Sequence, residues 1–200
     1  MDVARARLEK GLIQVYTGNS KGKTTAALGL ALRALGHGFK VYIIQFMKGS
    51  SYYGELFSLQ RLSPDIQLAQ YGRNCPHDPM IRQGEMQCVG CGGCFVRKGA
   101  ATEQDRLMAD RAMERARAVI TGGEYDIVIL DELSNALWFE LVTLEAALDL
   151  LAAKPDHVEV VITGRNTPPE ILEKAHLVTE MREIKHPYQI GVPSRRGIEY

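Results

Sequence analysis

The sequence predicts a doubly wound α/β fold, in which a mostly parallel sheet of about six strands is covered by helices on both faces. Three observations carry this expectation. Short apolar, partly β-branched runs alternate with helical patterns along the chain. Several of those runs are apolar at consecutive positions, as strands buried on both faces must be. Glycine-rich or acidic turns stand at their C-terminal ends, where such sheets gather their ligands. With 200 residues and 46% hydrophobic content, the chain can bury one sizeable core and leaves little room for a second. A single domain over 1–200 is therefore expected, with residues 72–99 as an insertion.

The elements follow in order. Residues 12–16 (LIQVY) read as a strand running into Thr17 and Gly18, and 23–35 (KTTAALGLALRAL) as an Ala/Leu-rich helix stopped by Gly36 and Gly38. Residues 39–46 (FKVYIIQF) predict a second strand, and 65–71 (DIQLAQY) a third, alternating and less buried. From 72 to 99 the apolar period fails among six glycines, Pro76 and Pro79, so that this stretch needs an external source of order. Thr102 and Asp105 resemble an N-cap pair opening a helix over 103–121. Then come strands at 126–130 and 158–163, helices at 143–153 and 168–175, and a last strand at 177–181. Residues 185–200 show no clear regular pattern.

Lys plus Arg and Asp plus Glu number 24 each, so no global field draws the chain to nucleic acid or to an anionic membrane. The charged start MDVARARLEK and the lack of an apolar run near about 18 residues argue against a secretory signal or a membrane span. A cytoplasmic protein is expected.

The segment Gly18-Asn19-Ser20-Lys21-Gly22-Lys23-Thr24-Thr25 lies between the first strand and the first helix, where backbone N–H groups and a helix N-terminus can cradle a triphosphate. Lys23 supplies a point charge and the Thr24 hydroxyl a ligand for Mg²⁺. The strict phosphate-loop pattern wants glycine where Thr17 stands, and here it comes one place later, at Gly18. Asp131-Glu132, ending an apolar strand, suits an acidic Mg²⁺ site or a helix N-cap, and Arg165, at another strand end, could reach the same phosphates. The expected fold is thus P-loop NTPase-like, of the RecA-like kind, with ATP and Mg²⁺ bound.

Cys75, Cys88, Cys91 and Cys94 fall within 20 residues, unlike a disulfide scaffold spread through a secreted domain. Four thiolates suit a [4Fe–4S] cluster or, alternatively, tetrahedral Zn²⁺. Two successive two-residue gaps and a remote cysteine followed by Pro76 look more like ferredoxin-type ligation than a zinc ribbon. His77 could replace Cys75.

Residues 11–49 (GLIQVYTGNSKGKTTAALGLALRALGHGFKVYIIQFMKG) resemble, almost residue by residue, the ATP:corrinoid adenosyltransferases of the CobA/BtuR type. So do DIVILDEL (126–133), VITGRN (161–166), REIKHPYQIGV (182–192) and GIEY (197–200), in the family's order. The resemblance implies transfer of the 5′-deoxyadenosyl group of ATP to cobalt(I) of a corrinoid, with release of triphosphate, in adenosylcobalamin biosynthesis or salvage. It implies that ATP lies reversed in the loop, exposing C5′, and that Asn19, Thr25, Arg33 and Glu132 join Lys21, Lys23, Thr24 and Arg165 in the nucleotide and metal site. It also implies a homodimer; a reductase or flavodoxin-like electron donor is a further expected partner. Ser20 stands where many members have glycine, and the N-terminal extension that covers the site in longer members is short. The cysteine stretch lies where members carry an aromatic loop pressing on the corrin, so it is expected to take over that role. Two other classes remain open for a loop of this kind: an ATP-switched protein that binds a metal cluster, and an ordinary P-loop ATPase or kinase.

Overall fold

The computed structural model of the chain describes residues 7–200; the first six residues, part of the short N-terminal extension, lie outside the described residues. Six strands form one sheet: β1 (Ile13–Thr17), β2 (Val41–Phe46), β3 (Ile66–Tyr71), β4 (Ile127–Asp131), β5 (Glu159–Thr163) and β6 (Leu177–Glu180). Their spatial order is β3-β2-β4-β5-β1-β6, and every pairing is parallel. The expected six-stranded α/β sheet is present, and wholly rather than mostly parallel. The predicted strand ends move by a residue or two.

Alternation along the strands explains the consecutive apolar runs. Val41, Ile43, Ile127, Ile129 and Val161 face one layer, against α1 (Lys23–Leu35), whose Ala27, Ala31 and Ala34 let the helix lie close. Tyr42, Ile44, Phe46, Val128, Leu130, Val160 and Ile162 face the other. That layer holds α4 (Glu103–Gly122), α5 (Leu133–Trp138), α6 (Leu144–Ala152) and α7 (Pro169–Lys174). Both faces being buried, a polar residue within these strands must be there for a reason. No described helix is long and apolar enough to cross a membrane.

Three short helices and a turn have no counterpart in the sequence expectation. Besides α5 these are α2 (Gly54–Gln60), α3 (Asp78–Gln83) and a 3₁₀ turn at Pro187–Ile190. α2 buries no residue completely, so it has no stripe to betray it. α3 lies within residues 72–99, where the sequence shows no apolar period. It buries Ile81, and Asp78 at its start accepts hydrogen bonds from the Ser51 N–H (2.6 Å) and hydroxyl (2.5 Å). Glycine places the flanking segments: a Cβ on Gly49 would lie 2.2 Å from the Gly72 carbonyl oxygen, and one on Gly72 2.2 Å from the Met47 carbonyl carbon. The connections leaving β2 and β3 therefore cross backbone on backbone.

The start of α4 is tied to the same region. Thr102 and Asp105 form the capping box expected of them, and the Asp105 carboxylate, 4% exposed, also receives both Nε (2.6 Å) and Nη2 of Arg73. The Arg73 bonds first, then those from Thr102, hold the Asp105 carboxyl well below the usual carboxylate range, against the opposing effect of burial. A depressed folded value means that this stabilisation is complete above the unfolded carboxylate range and is lost as pH falls through the folded one. Arg73→Met is expected to lower the unfolding free energy near neutral pH by about 2–3 kcal/mol. Urea denaturation from about pH 7 to about pH 3 should also show a shallower acid loss of stability than in the parent.

Candidate active site

The loop after β1 is shaped by what lies behind it. Gly18 has φ +99°, and a Cβ there would sit 2.4 Å from the carbonyl oxygen of Met181, just beyond β6. The Ser20 N–H donates to that same oxygen at 3.1 Å, and the Met181 N–H donates to the Thr17 carbonyl at 2.8 Å. The displaced glycine is thus the residue that lets the loop pack on β6. Gly22, φ +108°, stands at the N-cap of α1 without a side-chain cap, so the N–H groups of the first turn face the loop with the positive end of the helix dipole. Lys23 is only 6% exposed, and its ammonium bends back to the carbonyls of Gly18 (2.8 Å) and Ser20 (2.6 Å). Burial pulls its pKa down, with Glu132 opposing.

Across the cleft the fully buried Asp131 ends β4 and collects four donors. They are the hydroxyls of Thr24 (2.8 Å) and Thr163 (2.7 Å), the Gln45 amide (3.1 Å) and the Lys48 ammonium (3.0 Å). Burial alone would raise its pKa, but Lys48 and the hydroxyl donors hold it below the usual range. Glu132 behaves oppositely. It occupies the N-cap position of α5 with φ +64° yet makes no side-chain cap bond, so the capping role is not the one it fills. One of its carboxylate oxygens is buried without a hydrogen-bond partner, and burial and the Asp131 charge push its pKa up against Lys48, Lys23 and Arg165.

A cavity of about 640 Å³ opens between these elements. Its polar end comprises Lys23, Thr24, Glu132, Arg165 and Lys48; Leu28, Leu32, Leu59 and Leu62 form an apolar wall; and residues 197–200 lie along another side. A site with one cationic, glycine-lined end and one apolar wall suits a ligand that is polyanionic at one end and flat and apolar at the other. A family model described as ATP:corrinoid adenosyltransferase BtuR/CobO/CobP matches residues 9–200. The chain belongs to this family.

The agreement runs nearly end to end. A corrinoid adenosyltransferase of Escherichia coli strain K12 is 36% identical over 198 residues, covering 99% of this chain and 90% of the relative. The corrinoid adenosyltransferase CobA of Salmonella typhimurium strain LT2 is 35% identical with the same coverage, and one from Pseudomonas aeruginosa is 32% identical, with 88% of its length covered. For a corrinoid adenosyltransferase the cavity wall is informative residue by residue. Ser20, Lys21, Gly22, Lys23, Thr24, Thr25, Glu132 and Arg165 all line it. Arg165 is placed by a bond from its N–H to the Asn135 side chain at 2.6 Å. Gly18 shapes the loop from behind; Asn19 is exposed; and Arg33 is exposed in the last turn of α1, outside the cavity lining.

The cysteines lie elsewhere. Cys75 is buried with Tyr52, Ile81 and Tyr200, and Cys88 and Cys94 pack against that cluster, while Cys91 is exposed. Burial first, then the neighbouring Cys75, pushes the Cys94 thiol up, with smaller contributions from Cys88 and Cys91. The four therefore share one neighbourhood. Among the described residues, however, no three His, Cys, Asp or Glu side chains converge on one metal centre.

Lys48, Tyr53, Glu55 and Gln45 were missed by sequence reasoning. Lys48 lies 3.0 Å from Asp131 and 3.9 Å from Glu55, and Gln45 bonds Glu55 at 3.2 Å. Gln45 was findable, since an amide inside the apolar run YIIQF has to be answered by a partner in the core. Lys48 carried no such signal, being one lysine after a strand. Lys48→Met leaves Asp131 as a buried charge with neutral donors only, and is expected to lower stability by about 3–5 kcal/mol in urea denaturation. A variant as stable as the parent would show that Lys48 is not the compensating charge.

Proposed function

We infer that the chain transfers the 5′-deoxyadenosyl group of ATP to the cobalt of a reduced corrinoid. Family membership over residues 9–200 carries this reading. In balance, cobalt(I) donates an electron pair to C5′, the C5′–O bond breaks, and its pair leaves on triphosphate. Cobalt(I) needs no protein base, so the protein's work is to align C5′ for in-line attack and to meet the charge of the leaving group.

Lys23, Lys21 and Arg165 are the cations for that purpose, together with the N–H groups of the loop and of the first turn of α1. Lys23 must release the carbonyls of Gly18 and Ser20 to do so. The unpartnered, buried carboxylate oxygen of Glu132, which lines the same cavity as Thr24, fits a Mg²⁺ position, and there the ion would neutralise phosphate charge. A glycine loop between a parallel strand and a helix, with its threonine bonded to the acid ending β4, supports a P-loop NTPase-like, RecA-like reading. ATP lying reversed, with C5′ outward, together with a homodimer, belongs to this reading on the resemblance. An electron-donor partner and a cytoplasmic setting are our further expectations.

Mixing the protein with ATP, Mg²⁺ and chemically reduced cobalamin is expected to yield triphosphate and a light-sensitive cobalt–carbon bond. Lys23→Met should slow this by about 100-fold or more. ADP as the sole product would overturn the reading in favour of an ATPase, a kinase or an ATP-switched carrier.

The cysteine segment belongs to the proposal as a metal-ordered loop within the single domain, standing on the corrin side and holding [4Fe–4S] or Zn²⁺. Its support is the shared neighbourhood of Cys75, Cys88, Cys91 and Cys94, whose sulfurs would have to draw inward around the metal. Metal analysis of anaerobically purified protein is expected to show one site per chain, lost in Cys88→Ser. Zinc without the visible absorbance of an iron–sulfur cluster would remove any electron-passing role; neither metal in stoichiometric amount would remove the site.

A further inference from the structure

Residues 197–200 form a strap lying between the nucleotide cavity and the cysteine segment. Gly197, Ile198, Glu199 and Tyr200 all line the cavity. A bond from the Gly197 N–H to the Tyr200 carbonyl at 2.7 Å closes the strap on itself. On the phosphate-loop side, the Glu199 carboxylate lies 3.0 Å from the Lys21 ammonium, and it is itself held by the Arg195 N–H at 2.7 Å. On the other side, Arg196 reaches the carbonyl of Arg82 in α3 at 3.3 Å.

The ring of Tyr200 fixes the arrangement. It is 9% exposed and meets Tyr52 edge-on, with ring centroids 5.4 Å apart. Cys75 and Ile81 complete the buried socket, and Cys88 and Cys94 pack on it. Tyr52 stacks in turn on Tyr53, at 4.8 Å, and Tyr53 lines the cavity beneath the Lys48 ammonium. The socket wall and the cavity wall are therefore two sides of the same pair of tyrosines. Cys75 is also held by its backbone, its N–H donating to the buried Ser50 hydroxyl at 3.0 Å.

We propose that Tyr200 is a positioning residue for ATP, and that the cysteine-lined socket holding its ring sets how firmly the strap closes the nucleotide cavity. This rests on the reading of the cavity as the ATP site. A buried aromatic ring is the anchor that such a short segment has, because four residues cannot bury enough surface otherwise to offset the entropy of being ordered. Disturbing the cysteine side of the socket then reaches ATP without touching the phosphate loop.

The test is direct ATP binding by calorimetry, with limited trypsin digestion as a second measurement. Tyr200→Ala is expected to weaken ATP binding by roughly tenfold, the size of one contact coupling, and Tyr200→Phe, which keeps the ring, to bind within about twofold of the parent. Cys75→Ala should weaken ATP in the same direction, and the double variant should bind no worse than the weaker single one. Trypsin should cut after Arg196 faster in Tyr200→Ala and in Cys75→Ala than in the parent, which keeps the proposal testable if calorimetry is limited by poor folding. If the parent binds ATP while Tyr200→Ala binds it equally well, or if the two losses simply add, the proposal is overturned. A parent that binds no ATP would instead overturn the reading of the cavity.

Discussion

Asp131 is the charge on which the site is assembled. Four donors from four places in the chain end on one buried carboxylate: Thr24 from the first turn of α1, Gln45 from β2, Lys48 from the loop beyond it and Thr163 from the end of β5. Leaving such a charge uncompensated costs several kcal/mol, so the loops that carry these donors cannot drift independently. The parallel sheet brings the ends of β4, β2 and β5 side by side, and Asp131 converts that proximity into register at the side-chain level. Thr24 is thereby held before any ligand arrives, and Glu132, next in the chain, is turned into the cleft with φ +64° by the same strand end. Its N–H is bonded to the Thr163 hydroxyl at 2.9 Å, which makes that hydroxyl serve both acids.

Much of this was legible in the sequence, for physical reasons that differ from element to element. The strands were visible because a sheet buried on both faces demands unbroken apolar runs, and the loop because only glycine tolerates the conformations at Gly18 and Gly22. The capping box at Thr102 and Asp105 was visible because its chemistry is local. What stayed hidden depends on contacts distant in sequence. α2 has no completely buried face, α5 is six residues long, and the tail takes its order from Tyr52 and Lys21, more than a hundred residues away. Arg33, which the resemblance puts at the nucleotide, is exposed in the last turn of α1 and outside the cavity lining.

The cysteine segment divides along the same line. Its spacing announced a shared neighbourhood, which the structure has, but spacing cannot say what packs against the sulfurs. Here Tyr52, Ile81 and Tyr200 do, and part of the order expected to come from a metal is supplied by an apolar cluster and by α3. Thiols serve such a cluster well, because a protonated cysteine behaves as a small hydrophobe. A metal drawn into the same place would have to deprotonate the Cys94 thiol, which burial pushes up, and its binding energy would be spent partly on that.

The two neighbouring acids at the end of β4 show how one strand end can serve structure and chemistry at once. Asp131 is fully buried and Glu132 half-buried, and both lie near Lys48, yet their proton affinities move in opposite directions. Asp131 has its donors already and stays ionised. Glu132 is taken out of water, bears the repulsion of Asp131 and has an oxygen without a hydrogen-bond partner, so its proton affinity is raised above that of an ordinary glutamate. Adding positive charge beside it lowers that affinity, and linkage requires the converse: holding the carboxylate ionised must strengthen cation binding. Saturating one acid with protein donors is therefore what leaves the other free to answer a ligand.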